Sequence, residues 1–143
     1  MMEIPELIVG GKYSDERGSL FFNNSFNAAD IKRIYYIENE DTEFIRGWTG
    51  HKIEQRWFSV AQGSFFIRLI KIDNWETPAA ESDILEFEVN ADTLDILHMP
   101  KGYVSAVQAK TKGAKLLVMV DHALGEVNDD YRFPVDYFKK LSR

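Results

Sequence analysis

The stretch "QRWFSVAQGSFFIRLIKID", Gln55–Asp73, reads as two strands around one turn. Aromatic and β-branched side chains fill both halves, and Ala61-Gln62-Gly63-Ser64 interrupts them with a glycine able to take positive φ. Similar segments lie on either side. "DILEFEVN" alternates strictly from Ile84 to Val89, setting Leu85, Phe87 and Val89 against Ile84, Glu86 and Glu88, which predicts a half-buried strand. "DIKRIYYIEN" (Asp30–Asn39) predicts another, ended by the acidic turn Glu38–Glu43. "GKYSDERGSLFF" (Gly11–Phe22) is a polar turn leading into an apolar strand. "DTLDILHMPKGYVSAVQAKT" supplies a strand, a Pro-Lys-Gly turn at 100–102 and another strand, and "AKLLVMVDHA" (Ala114–Ala123) is apolar enough to be central. Only the tail, "NDDYRFPVDYFKKL", predicts a helix, with Pro134 near its first turn. Many short strands with regular turns and one terminal helix predict an all-β sandwich or barrel.

Composition narrows the function. A chain of 143 residues has room for one domain, spanning 1–143, with a real core, and is too short for two. Aromatics at 13% favour strands over a helical bundle. The absence of cysteine excludes disulfides, thiolate metal sites and a thiol nucleophile. No basic-then-apolar leader and no membrane-length apolar run is present, so a soluble cytoplasmic protein is expected. A net charge of −6 argues against nucleic acid, which needs a basic face. It leaves open a small anionic ligand, because a few arginines suffice to hold a diphosphate.

The candidate chemistry sits in "RGWTGHKIEQ", Arg46–Gln55, which reads as the opening of a β-hairpin. A mononuclear metal site on a barrel needs three or four converging imidazoles or carboxylates. The chain has three histidines, His51, His98 and His122, and the neighbours of His51 at suitable spacing are Thr49 and Gln55. Those are poor ligands, so no metal is expected. An acid–base site needs less: one imidazole near neutrality, with a hydroxyl partner, can move a proton on and off carbon beside a carbonyl. Strand parity predicts that one of Tyr35 and Tyr36 shares a face with His51. The bland alternative is a histidine that only hydrogen-bonds a backbone carbonyl.

"IKRIYYI" followed by "RGWTGHK" resembles the nucleotide-sugar branch of the cupins. It is most similar to the dTDP-4-keto-6-deoxyhexose 3,4-ketoisomerases, whose comparable run reads like "KRVYYI…RGxHAHK". The dTDP-4-dehydrorhamnose 3,5-epimerases carry "RGxH" at that place and an earlier "DxRGxF", which "DERGSLF" (Asp15–Phe21) echoes. The tail "DDYRFPVDYF" resembles the ketoisomerase ending. The resemblance implies a jelly-roll barrel (a double-stranded β-helix, or cupin) with a short C-terminal helix. It also implies a homodimer and a cofactor-free pocket for a nucleotide-diphosphate sugar. A histidine there removes the proton next to the C4 ketone, and a proton returns elsewhere.

By the same resemblance His51 matches the second histidine of "HAH" and is the candidate base, with Tyr36 as proton relay. Arg46 matches the arginine that contacts substrate or diphosphate, and Arg17 the arginine of "DxRG" near the nucleotide. Thr49, Gln55 and Tyr103 complete the candidate substrate-binding set. Thr49 stands where the family has its first histidine, and Ser105 where "PxGxxH" ends in another. A hydroxyl is no general base without help. These two departures favour the alternative, a silent cupin that binds a nucleotide sugar and has lost its base. Trp48, Trp57 and Trp75 are either stacking platforms or core. Arg56 and Arg68 are either inward anion anchors or a solvated face. His98 and His122 are expected at the core or rim.

Overall fold

A computed structural model describes residues 3–138. Its strands are β1 (Glu6–Ile8), β2 (Gly11–Asp15), β3 (Gly18–Phe22), β4 (Arg33–Ile37), β5 (Ile45–His51) and β6 (Arg56–Gln62), followed by β7 (Ser64–Lys71), β8 (Leu85–Asn90), β9 (Ile96–Met99), β10 (Tyr103–Ala109), β11 (Lys115–Val120) and β12 (Tyr131–Arg132). They form two five-stranded sheets, β1-β9-β6-β11-β4 and β12-β5-β10-β7-β8, with β2-β3 as a separate hairpin. Every pairing is antiparallel. This is the expected all-β jelly roll.

The strands β6 and β7 are not a hairpin. The turn at Gly63, with φ of 74°, carries the chain from the first sheet to the second. The reason is burial. Phe58 and Val60 of β6 face Phe65, Ile67 and Leu69 of β7 in one core cluster between the sheets, with Leu116 and Val118 of β11 beside them. Two strands this apolar bury more surface by facing each other across a sandwich than by lying edge to edge. β5 and β6 likewise part into opposite sheets, so Arg46–Gln55 opens a corner and no hairpin. β11 is flanked by β6 and β4, as its apolar composition predicts.

The expected C-terminal helix is absent among the described residues. Tyr131 and Arg132 pair with Gly50 and Thr49 of β5, and Trp48 and Phe133 exchange both backbone hydrogen bonds at 3.0 Å. Phe138 is fully buried, edge-on to Trp48 at 5.3 Å between ring centres. An open edge on β5 and a buried aromatic anchor outweigh local helix propensity here. Residues 139–141 of the predicted helix lie outside the described residues.

Candidate functional site

The inner faces of β4, β5, β6 and β10, together with the segment after β11, line a cavity of about 610 Å³, within the range of small-molecule sites. β5 contributes Arg46, Thr49 and His51 to it. Strict alternation would put Arg46 and Thr49 on opposite faces. A bulge resolves the conflict: Ser105 pairs with Thr49 and Val107 with Arg46, so Gly47 and Trp48 together oppose Ala106 alone. Arg46 and Thr49 therefore share the inner face, while Trp48 turns outward to the cluster with Ile70, Val104, Ala106 and Phe138. Gly47 permits the close approach, since a Cβ there would sit 2.6 Å from the Ala106 Cβ.

His51 is 4% exposed. Its Nδ1 lies 2.9 Å from the carbonyl oxygen of Asp129. A carbonyl only accepts, so Nδ1 carries the proton and Nε2 of the neutral ring keeps its lone pair. No hydrogen bond to Nε2 occurs among the described residues. Burial, reinforced by the positive charge of Arg56, holds the imidazole below its usual 6.5. Both favour the neutral imidazole at ordinary pH.

Below His51 lies a buried ionic group. Glu54 Oε1 accepts from Arg56 Nη1 at 2.8 Å, with Arg33 Nη2 at 3.8 Å and His51 Nδ1 at 3.6 Å. The Arg33 Nε is buried without a partner. The carboxylate of Asp129 accepts three successive backbone N–H groups, from Lys52 at 2.9 Å and from Ile53 and Glu54 at 2.8 Å each. Donor atoms of His51, Glu54 and Asp129 lie within 4.8 Å of one another, close enough for a cation. His51 Nδ1 is engaged by a carbonyl, Glu54 Oε1 by Arg56 and Asp129 by main-chain amides, while His51 Nε2 has no hydrogen bond among the described residues. Two guanidiniums, Arg33 and Arg56, lie beside the Glu54 carboxylate and balance the two acidic groups.

The mouth carries both signs of charge. Arg46 and Arg132 line it with Glu38 and Asp130. Arg132 is paired with Asp130 at 2.9 Å, whereas Arg46 donates to the Asn39 amide oxygen at 3.3 Å, lies over the Phe44 ring at 5.8 Å, and has no carboxylate partner among the described residues. The hydroxyls of Thr49 and Ser105 stand on neighbouring strands directly opposite each other.

The expected site residues divide. His51, Arg46, Thr49 and Tyr36 reach the cavity. Pairing sets Tyr35 opposite the core residue Val118, and so on the inner face, and Tyr36 opposite Leu117 on the outer one. Tyr36, 63% exposed, meets the cavity at its rim. Tyr103 is 3% exposed in the main core, so it packs beneath the barrel and does not line the mouth. Gln55 turns away from the cavity, accepting from His98 Nε2 at 2.6 Å and donating to Asp121 at 3.1 Å. Arg17 stands at the tip of the β2-β3 hairpin, its exposed side chain paired with Asp15 at 2.7 Å. Trp57 stacks on His98, and Trp75 packs against Tyr131. Arg56 faces inward, while Arg68 is buried elsewhere with Gln108 and Glu86. Sequence reasoning passed over Arg33 and Asp129, and saw Glu54 in the motif of His51 without giving it a role. Glu54 and Arg56, two apart around the start of β6, carried the one available signal.

The family model described as FdtA: WxcM-like, C-terminal, matches residues 2–143. The chain belongs to that family. No curated protein matches it. Among solved structures it is similar to the H51N mutant of the 3,4-ketoisomerase QdtA from Thermoanaerobacterium thermosaccharolyticum, determined in complex with TDP-4-keto-6-deoxyglucose. That match has a TM-score of 0.71 and 26% identity, over 98% of this chain and 95% of that one. A 3,4-ketoisomerase from Helicobacter canadensis matches with a TM-score of 0.70 and 24% identity, over 95% and 96% of the two chains. The dTDP-4-dehydrorhamnose 3,5-epimerase of Bacillus anthracis shares the fold, with a TM-score of 0.73 and 16% identity over 92% and 79%. The chain has the cupin fold that these nucleotide-sugar isomerases and epimerases share. No helix among the described residues is long and apolar enough to cross a membrane.

Proposed function

We propose that this protein is a cofactor-free isomerase or epimerase acting on a dTDP-4-keto-6-deoxy sugar. The observation that carries the reading is the buried neutral His51, whose Nδ1 is committed to a carbonyl so that Nε2 is the basic atom. Nε2 takes the proton from the carbon next to the C4 ketone. The C–H electron pair becomes a C=C bond, and the carbonyl π pair moves onto oxygen. The positive charges of Arg56 and Arg33, at the buried end of the cavity, offset that developing anion. Reprotonation at C4, with the neighbouring hydroxyl proton passing to the C4 oxyanion, moves the ketone. Reprotonation of the original carbon from the other side inverts it.

Arg46, with no carboxylate partner, is assigned to the diphosphate, and Thr49 with Ser105 to sugar hydroxyls. Parity favours Tyr35 over Tyr36 as the proton relay. The protein is read as one domain working in the cytoplasm as a homodimer. The dimer reading is supported by the unpaired β2-β3 hairpin, which exposes Tyr13, Leu20 and Phe21, and by Ile34 and Tyr36 on the edge strand β4. In a dimer, the hairpin tip is also the route by which Arg17 would reach a nucleotide.

Proton NMR of dTDP-4-keto-6-deoxyglucose in D₂O tests the chemistry. Loss of the C3 or C5 proton signal with the wild type, abolished by His51→Asn, is expected. Saturable binding without any exchange would replace this reading with a silent binding cupin.

A further inference from the structure

We propose that Asp129 is a positioning residue for His51, its carboxylate fixing through the 51–54 turn which imidazole nitrogen is basic. This rests on the reading of His51 as the base. Asp129 is 4% exposed and approaches from the segment between β11 and β12, 78 residues from His51 in sequence. It makes four hydrogen bonds to four consecutive residues. Oδ1 accepts from the Lys52 amide, Oδ2 from the Ile53 and Glu54 amides, and the main-chain carbonyl from His51 Nδ1.

Three successive N–H groups aimed at one carboxylate hold the turn in a single conformation. The carbonyl is joined to that carboxylate through a single Cα. Fixing the carboxylate against the turn therefore fixes the carbonyl against the imidazole. A neutral imidazole has one N–H, and here it is spent on the carbonyl. The competing acceptor for Nδ1 is Glu54 Oε1, 3.6 Å away and beyond hydrogen-bond reach while the turn is held. Loosening the turn lets the ring choose between carbonyl, carboxylate and water. Some of the population then carries its proton on Nε2 and has no base toward the cavity. The Glu54 amide belongs to the same clamp, so Asp129 also places the carboxylate that holds Arg56.

Long-range proton–nitrogen NMR on histidine-labelled protein, without substrate, reads the tautomer directly. With three histidines in the chain, His51→Asn assigns the signal. Wild-type His51 is expected to be protonated on Nδ1 alone. Asp129→Asn sets an NH₂ or a single oxygen against three N–H donors, and is expected to give a mixed tautomer. Its turnover should fall about tenfold or more, the usual scale for losing a partner that orients an imidazole, with KM for the nucleotide sugar little changed. A mere packing defect would lower thermal stability and leave the tautomer alone. Wild-type His51 protonated on Nε2 would overturn the proposal even if the variant does not fold. So would a folded Asp129→Asn with an unchanged tautomer. The expected wild-type tautomer with no proton exchange on the sugar would instead sink the isomerase reading and support the clamp.

Discussion

Replacing Glu54 by leucine leaves the guanidinium of Arg56 buried with no counter-charge, and Arg33 loses its nearest carboxylate. Both side chains of the Glu54–Arg56 pair are 7% exposed, at 2.8 Å, so solvent does little to screen them. Breaking such a pair by removing one partner costs about 3–5 kcal/mol, mostly the penalty for the charge left behind. For a domain of this size each kcal/mol moves the melting temperature by about 3–4 °C, so Glu54→Leu should lower it by about 9–20 °C. The double variant Glu54→Leu with Arg56→Met removes both charges and should recover most of that loss, ending within about 1–2 kcal/mol of wild type. Arg33 is less enclosed, with a side chain 24% exposed, and water compensates it in the double variant. Thermal unfolding followed by circular dichroism near neutral pH measures all three proteins. A single variant that melts within about 3 °C of wild type would refute the idea that this charge is desolvated. So would a double variant no better than the single, because the cost would then lie in packing.

The pH dependence follows from His51, held below its usual 6.5 by burial and by Arg56. The unfolded chain takes up this proton first as pH falls, so the associated stability is complete above about 6.5 and is lost progressively below it, toward the folded value. The melting difference between wild type and His51→Asn should change over that window, and the acid limb of the proton-exchange rate should also lie below 6.5; a limb above it contradicts the buried neutral base. Gly47→Ala drives a Cβ to within 2.6 Å of the Ala106 Cβ and should cost about 1–3 kcal/mol by overpacking. It should also weaken nucleotide binding by displacing Arg46, which isothermal titration with dTDP would detect; unchanged affinity would show that the bulge does not place Arg46. Phe138→Ala empties a fully buried site against Trp48, an expected loss of about 3–5 kcal/mol. Denaturant unfolding checks it, and a loss under about 1 kcal/mol would mean that the C-terminal segment is not anchored there.

Most strands and the turn at Gly63 were legible in the sequence, because alternation, aromatic content and glycine are local properties. His51, Arg46 and Thr49 were legible too, since one short motif brings them together. Where local pattern competes with distant partners, reading failed. β6 and β7 look like a hairpin until their two buried faces are seen to need each other across the sandwich. The tail reads as a helix until the open edge of β5 captures Tyr131 and Arg132. Parity left Tyr35 and Tyr36 open, and the resemblance took Tyr36, because the sheet face of β4 is set by its pairing with β11, far along the chain.

The sequence by itself determined that the protein is all-β, lacks thiol chemistry and carries one histidine in an arginine-bearing motif. Only the tertiary structure decided which nitrogen of that histidine meets a carbonyl and what lies beneath it. Composition and spacing act over a few residues. The proton on Nδ1, the Glu54–Arg56 pair and the bulge at Gly47–Trp48 depend on Asp129, Arg33 and Ala106, which reach the motif from three other parts of the chain.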